Sequence, residues 1–349
     1  MATDTAAVDA PAAFDGMAGE IPVIDAGRWI AGEAGALEAL AAQVRHAQER
    51  IGFYFLVNHG VPASLVADTF AAVARFFALP DEDKLKLRVD EHQIGYIPPK
   101  ASILKTSGIE DNKKPDTNEA FQLMRERGPD DPKVCEGRRF SAMNKWPPEE
   151  KAPGLRAQML AYHAAMEALG RRMLPVYARA LDLPADWFAP FFADDAHFIN
   201  RNAHYAPGEH EEGQYGLGAH ADHGFMTFLP MSEVPGLEVR TQDDRWIAVP
   251  YVAGGMLVNT GEFLNRWSNG RFIATPHRVV APARDRYALT FFYSPADETV
   301  CAPPPTCVGP DNPPRYRPVT FLQYLTDYAE GNYLHQAEAR RRREAAAAT

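Results

Sequence analysis

The sequence predicts a mainly β fold with α elements, in which short strands build a sandwich or barrel. Two observations carry this. From residue 198 to residue 293, short apolar runs recur, each set off from the next by Gly, Pro or Asp. Strands spaced by roughly 8–12 residues are the pattern of sandwiches and barrels. The 29 prolines also gather between elements, as at Pro98-Pro99, Pro147-Pro148 and Pro313-Pro314. That argues for many short strands and loops rather than a helical bundle.

In chain order, residues 1–20 are small and acidic and read as a mobile arm. Residues 21–25 (Ile-Pro-Val-Ile-Asp) read as an edge strand, where proline is tolerated. Leu37, Leu40, Ala41, Val44 and Ala47 recur at three and four, which predicts an amphipathic helix over 37–50. Gly52 breaks it, and the aromatic and β-branched run 53–57 is a strand. Ser64 is the expected cap of a second helix carrying Leu65, Val66, Val73, Phe76 and Phe77 inward. Residues 95–100 read as a loop and 118–123 as a short strand. A long helix over 155–181 carries Pro175 inside it, and its methionines read as core filler. The strands then expected are 198–205, 224–229, 237–240, 246–248, 255–259, 279–281 and 287–293, followed by a helix over 321–339 and a basic tail.

The chemistry concentrates at His220 and Asp222, with His277 arriving 55 residues after Asp222. Residues i and i+2 of a strand share a face. His220 and Asp222 can therefore meet one metal ion from one strand end, with His277 supplied by a neighbouring strand. Two imidazoles and a carboxylate leave three positions open, the arrangement that suits non-heme Fe(II) and O2 chemistry. A zinc hydrolase would more often show a helical His pair with a Glu, or a cysteine-rich set, and neither is present. The competing interpretation is two satisfied core histidines beside a capping Asp.

Composition narrows the function. The apolar fraction of 46% is ample for a core, and a net charge of −10 disfavours nucleic acid as a partner. Three cysteines without a CxxC pair fit a reducing cytoplasm. The N-terminus lacks the pattern of a signal peptide, and no run of 18 apolar residues predicts a membrane span. A small-molecule substrate follows. Oligomeric state is not legible, and a monomer is compatible.

These motifs resemble the iron- and 2-oxoglutarate-dependent oxygenases of the isopenicillin N synthase-like family. The resemblance covers nearly the whole chain: Ile-Pro-Val-Ile-Asp, Gly-Phe-Tyr leading into Asn58-His-Gly-Val, Gly95-Tyr-Ile-Pro-Pro, His220-Ala-Asp222-His-Gly, Gly236-Leu-Glu-Val-Arg, Asn259-Thr-Gly-Glu and Arg266-Trp-Ser-Asn-Gly-Arg-Phe-Ile-Ala-Thr-Pro-His277-Arg-Val. It implies a double-stranded β-helix (jelly roll) core with an N-terminal helical layer and a C-terminal helix. The expected division is an N-terminal α/β region over 21–150, a helix plus oxygenase core and C-terminal helix over 151–339, and a tail over 340–349.

The resemblance also implies Fe(II) held by His220, Asp222 and His277, with 2-oxoglutarate and O2 as cosubstrates. The family grips the far carboxylate of 2-oxoglutarate with Arg-x-Ser, and the matching residues here are Arg286-Tyr287-Ala288. The arginine remains and can fork onto a carboxylate. The serine hydroxyl is missing, and Thr290, two residues on, is its candidate replacement. Tyr205 matches the family's tyrosine on the opposing strand. An Asn used by some members is replaced by Ala203, and Asn202 is off by one. Tyr96, Phe121 and Leu123 are candidate substrate contacts, a role that plain core packing would explain as well. The expected activity is oxidation, above all hydroxylation, of a small organic molecule with release of succinate and CO2. Two alternatives stay open: an iron oxidase of isopenicillin N synthase type that does not use 2-oxoglutarate, made more pertinent by Ala288, and a metal-binding β-barrel without turnover.

Overall fold

The structure, a computed structural model, describes residues 16–102, 114–193, 195–208, 211–333, 336 and 340–341. Most of the expected arm and most of the tail lie outside the described residues. The N-terminal region runs β1 (Gly16–Ala18), β2 (Ile21–Asp25), α1 (Gly27–Ile30), α2 (Ala36–Arg50), β3 (Phe53–Val57), α3 (Ala63–Phe77), α4 (Asp81–Leu85), β4 (Gly95–Ile97), β5 (Glu119–Met124) and α5 (Pro132–Cys135). After the long α6 (Leu155–Ala180) come β6 (His197–Tyr205), β7 (Leu217–His220), β8 (Met226–Pro230), β9 (Leu237–Arg240), β10 (Trp246–Ala248) and β11 (Met256–Thr260). The chain ends through α7 (Glu262–Trp267), β12 (His277–Val279), β13 (Arg286–Ser294), β14 (Val300–Cys301), β15 (Val319–Thr320) and α8 (Phe321–Asn332).

Apart from the β9–β10 hairpin, successive core strands alternate between two sheets. The larger sheet has the order β1-β2-β3-β11-β8-β13-β6-β5-β4, and the smaller has β10-β9-β12-β7. From β6 to β13 the chain crosses from one sheet to the other and back, winding a double-stranded β-helix. Apolar side chains fill the space between the sheets, among them Phe53, Phe55, Ala203, Leu257 and Ala288 from the large sheet and Leu237, Val239 and Val279 from the small one. The outer face of the large sheet is covered by helices. Tyr54, Phe76, Phe121, Met159, Tyr162, Met166, Met173 and Tyr177 are at most 2% exposed in that layer. Each such side chain contributes roughly 1.5–3 kcal/mol by leaving water. Arg45 of α2 closes the end of α6, donating to the Ala180 carbonyl at 2.7 Å and to the Arg179 carbonyl at 2.9 Å, at a helix end whose last carbonyls have no intrahelical partner.

The structure corrects several local expectations. Ile21–Asp25 is not an edge strand, because β1 pairs along it antiparallel while β3 pairs on its other side. Ser64 does not cap α3; Pro62 precedes the helix in extended conformation, and no side chain caps it. Gly95–Ile97 is a strand rather than a loop, since its backbone finds partners in β5. Helix α8 ends at Asn332, where Tyr333 turns extended, and its backbone bridges Ser102. The six-residue α7 is too short to show a helical period in sequence. None of the described helices is long and apolar enough to cross a membrane.

Candidate metal centre and its cavity

His220 is the last residue of β7, and Asp222 follows in the turn that leads to β8. Strand β12 lies antiparallel beside β7 with His277 directly opposite His220. The three side chains are buried, and one ligand atom from each lies within 4.8 Å of the others. Asp222 Oδ1 is 3.6 Å from His220 Nε2 and 3.4 Å from His277 Nε2. His220 Nδ1 lies 2.8 Å from the Gly218 carbonyl, and His277 Nδ1 lies 3.1 Å from the Thr275 carbonyl. A carbonyl only accepts, so each Nδ1 carries the proton and each Nε2 presents its lone pair to the centre. Asp222 is fixed likewise: its Oδ2 accepts from Asn259 at 2.7 Å, and its backbone carbonyl accepts from the Glu262 amide at 2.6 Å.

The electrostatics suit a cation. Burial, helped by His277 beside it, pushes the His220 imidazole down to about 3, so it is neutral and able to ligate. Burial alone would raise the Asp222 carboxyl, but His277 and His220 outweigh it and hold the group well below the usual carboxylate range. For His277, burial pulls downward and the Asp222 charge more than restores it, leaving a net upward shift. Edge-on contact with Phe53, at 5.4 Å between ring centroids, backs the His277 ring. This donor set, preoriented and open on the side of the cavity, fits a divalent metal.

The triad opens into a cavity lined also by Tyr205, Thr227, Leu229, Asn259, Arg286, Ala288 and Thr290. Arg286 begins β13 directly opposite Tyr205 of β6. Its guanidinium carbon sits 5.0 Å from the centre of the Tyr205 ring. Arg286 is 4% exposed, and its Nε and Nη1 have no hydrogen-bond partner among the described residues. Burial lowers its affinity for the proton. A buried guanidinium with two unpartnered nitrogens is costly unless an anion completes it, so this end of the cavity fits a carboxylate.

Comparisons with known proteins agree with this geometry. The family profile described as non-haem dioxygenase in morphine synthesis N-terminal matches residues 21–149, and that of the 2OG-Fe(II) oxygenase superfamily matches residues 195–295. The Kihadalactone A synthase LFS of Citrus sinensis is 32% identical over 82% of this chain and 86% of its own. The 2-oxoglutarate-Fe(II) type oxidoreductase hxnY of Emericella nidulans is 31% identical over 89% of both chains. The chain belongs to the 2-oxoglutarate- and Fe(II)-dependent oxygenases. The crystal structure of a full-length Neurospora crassa protein in complex with alpha-KG and thymine superposes on this oxygenase with a TM-score of 0.78, at 25% identity, covering 89% of this chain and 98% of that one. The protein is thus an enzyme of the isopenicillin N synthase-like superfamily that uses 2-oxoglutarate, and the alternatives without that cosubstrate recede.

Within this oxygenase the remaining expected residues part company. Thr290 lines the cavity with Arg286 and Tyr205. Tyr96, Phe121 and Leu123 do not line it; they are buried in the outer layer beneath the helices. Phe121 stacks on Phe76 at 4.1 Å between centroids, and the Tyr96 hydroxyl donates to Glu119 at 2.5 Å. The reason is register: Phe121 pairs with Asn202 and Leu123 with Asn200, and those residues lie on the face opposite Tyr205 and Ala203. His204 shares that outer face, between Glu119 and Asp285 at 2.8 Å each. His223 stacks on Tyr328 of α8 at 4.7 Å. Arg278 points away from the centre to Glu238 and Trp246.

Among the residues that line the cavity, Thr227, Asn259 and Arg201 have a place there that the sequence reading did not assign. Thr227 has a buried hydroxyl with no partner among the described residues. Asn259 orients Asp222, and Arg201 adds a second arginine. The spacing of Arg201 from Tyr205 was a usable signal, since positions four apart on one strand share a face.

Proposed function

We propose that His220, Asp222 and His277 hold Fe(II), that Arg286 with Tyr205 and Thr290 holds 2-oxoglutarate, and that the enzyme hydroxylates a small organic molecule. The observation that carries the cosubstrate assignment is the buried guanidinium of Arg286, with Nε and Nη1 unpartnered among the described residues, in the same cavity as the triad. When bound, Fe(II) and 2-oxoglutarate supply oxidative decarboxylation that consumes O2 and yields succinate, CO2 and an oxidised product.

The protein's own residues supply geometry. The Gly218 and Thr275 carbonyls hold the imidazoles in the ligating tautomer, and Asn259 leaves Asp222 Oδ1 for the metal. Arg286 offers two donors to the far carboxylate of 2-oxoglutarate. Thr290, together with the unpartnered Thr227 hydroxyl, stands in for the serine that Ala288 lacks. Phe53, Phe292 and Tyr328 wall the cavity and exclude water. The free cysteines support a reducing compartment, the cytoplasm, and the charge of −10 supports a small molecule over nucleic acid.

The test is metal content and succinate yield in H220A, D222A, H277A and R286Q. Loss of bound Fe(II) is expected in the first three. In R286Q, Fe(II) is retained and 2-oxoglutarate binding weakens at least about tenfold, in line with a lost charge-assisted bond. Unchanged metal binding in the triad variants, or unchanged 2-oxoglutarate binding in R286Q, would refute the assignment.

A further inference from the structure

The cavity holds a second arginine that the cosubstrate leaves unused. Arg201 lies on β6, on the same inward face as Tyr205, and pairs with Thr290 of β13 and Gln122 of β5. Arg286 pairs with Tyr205, so the two arginines stand four residues apart in register. At about 3.3 Å per residue their backbones stand roughly 13 Å apart. Arg201 is 7% exposed. Its one hydrogen bond among the described residues runs from Nη2 to Asn118 Oδ1 at 2.8 Å, and Asn118 is itself anchored on the Gly216 carbonyl at 2.6 Å. No carboxylate among the described residues pairs with Arg201. Asp116, whose charge it feels, has both oxygens engaged, by the Gly218 amide at 2.8 Å and the Ser102 hydroxyl at 2.9 Å.

The surroundings of Arg201 are those of a small amphiphilic ligand. It lines both the metal cavity and a smaller adjoining one, and His223, Phe292, Tyr328 and Tyr333 line both with it. Leu325 and Ala329 of α8 close the smaller space. One fixed cation is thus set among aromatic and aliphatic walls beside the metal ligands. A neutral substrate would leave the guanidinium with only the Asn118 bond and the charge of Asp116 to offset its burial. A substrate carrying an acid group would complete it with a charge-assisted bond and seat its apolar body on the rings.

We propose that Arg201 anchors the primary substrate, and that the substrate is a small apolar carboxylic acid whose carboxylate pairs with this guanidinium. The inference rests on the reading of Arg286 as the cosubstrate's partner. It assigns Arg201 as a specificity-determining residue, with Asn118 holding it in place.

The experiment uses the full-length enzyme loaded with Mn(II), which binds without turnover. Calorimetric titration with 2-oxoglutarate comes first and tests the cosubstrate reading separately. With 2-oxoglutarate saturating, the enzyme is then titrated with matched acids and primary amides: phenylacetate and phenylacetamide, cinnamate and cinnamamide, octanoate and octanamide. At least one acid is expected to bind, with its amide weaker by about tenfold or more. R201Q should abolish the preference for the acid, and R201K should keep part of it. Acids that bind no better than amides, or do not bind at all, overturn the proposal, and that comparison needs no variant. It is equally overturned if R201Q keeps the preference, or if R201Q weakens 2-oxoglutarate as much as it weakens the acid, which would place Arg201 in the cosubstrate site.

Discussion

Asn259 donates from Nδ2 to Asp222 Oδ2 at 2.7 Å, and this bond selects the oxygen that faces the imidazoles. The other oxygen, Oδ1, is the one within 3.4 Å of His277 Nε2. Asn259 reaches it because β11 pairs with β8 so that Asn259 stands opposite Thr227 on the inward face. Groups that orient metal ligands typically account for 10–100-fold in metal affinity. We therefore expect N259A to bind Fe(II) or Co(II) about 10–100-fold more weakly, measured by equilibrium titration against a competing chelator. Wild-type affinity would show that Asp222 needs no such support.

The missing serine at Ala288 has a direct consequence. Ala288 lies between Arg286 and Thr290 on one face of β13 and lines the cavity. Restoring the hydroxyl in A288S should lower the KM for 2-oxoglutarate by about threefold to tenfold, within the range of one hydrogen bond to a charged group. T227V should raise it by a similar factor, because the Thr227 hydroxyl is buried with no partner among the described residues. A T227V enzyme with unchanged KM would remove that hydroxyl from the cosubstrate site.

Asp116 predicts a pH dependence of stability. Burial pushes its carboxyl up to about 6 from an ordinary 3.8, despite hydrogen bonds from Gly218 and Ser102. The folded state then holds this proton more tightly than the unfolded chain. Its contribution is fully present below pH 3.8 and is lost as pH rises through about 6. Other carboxylates in the protein are shifted the opposite way, so the comparison must be with a variant. Relative to D116N, the wild type should lose stability between about pH 4 and about pH 6 in urea midpoints. Parallel profiles for the two proteins would contradict a raised pKa.

Packing of α6 on the large sheet is tight at Gly170. A Cβ there would lie 2.6 Å from Tyr293 Cδ1 and 2.7 Å from Cε1, and Tyr293 is fully buried. Alanine is the better helix former by about 1 kcal/mol, while overpacking costs typically about 1–3 kcal/mol. Because the ring has no room to retreat, we expect the clash to win and G170A to be less stable by about 1–2 kcal/mol in denaturant unfolding. A more stable G170A would show that helix and sheet can separate at little cost.

Much of the architecture was legible in the sequence. Gly52 ends α2 by turning to a left-handed φ of 69°, and it packs so close to the Ile273 carbonyl that a Cβ would lie at 2.3 Å. Strands β9 and β10 fall where their bounding Gly and Asp residues placed them. The parity of β6 was legible too: once Tyr205 faces inward, His204 and Asn202 must face outward, as they do toward Glu119 and the Phe121 carbonyl. It was not legible for β4, read as a loop, or for β5, because nothing local says which face of a fully buried strand looks into the cavity.

The donor set His220, Asp222 and His277, the succession of strands and the retained Arg286 follow from the order of amino acids alone, because residue chemistry and turn punctuation are local properties. Three-dimensional pairing was needed to turn Arg201, Thr227 and Asn259 toward the cavity and Tyr96, Phe121 and Leu123 away from it. Alternation along a strand fixes which residues share a face. Which of the two faces looks inward depends on cross-strand register, and pairs such as Phe121 with Asn202 join residues that lie far apart along the chain.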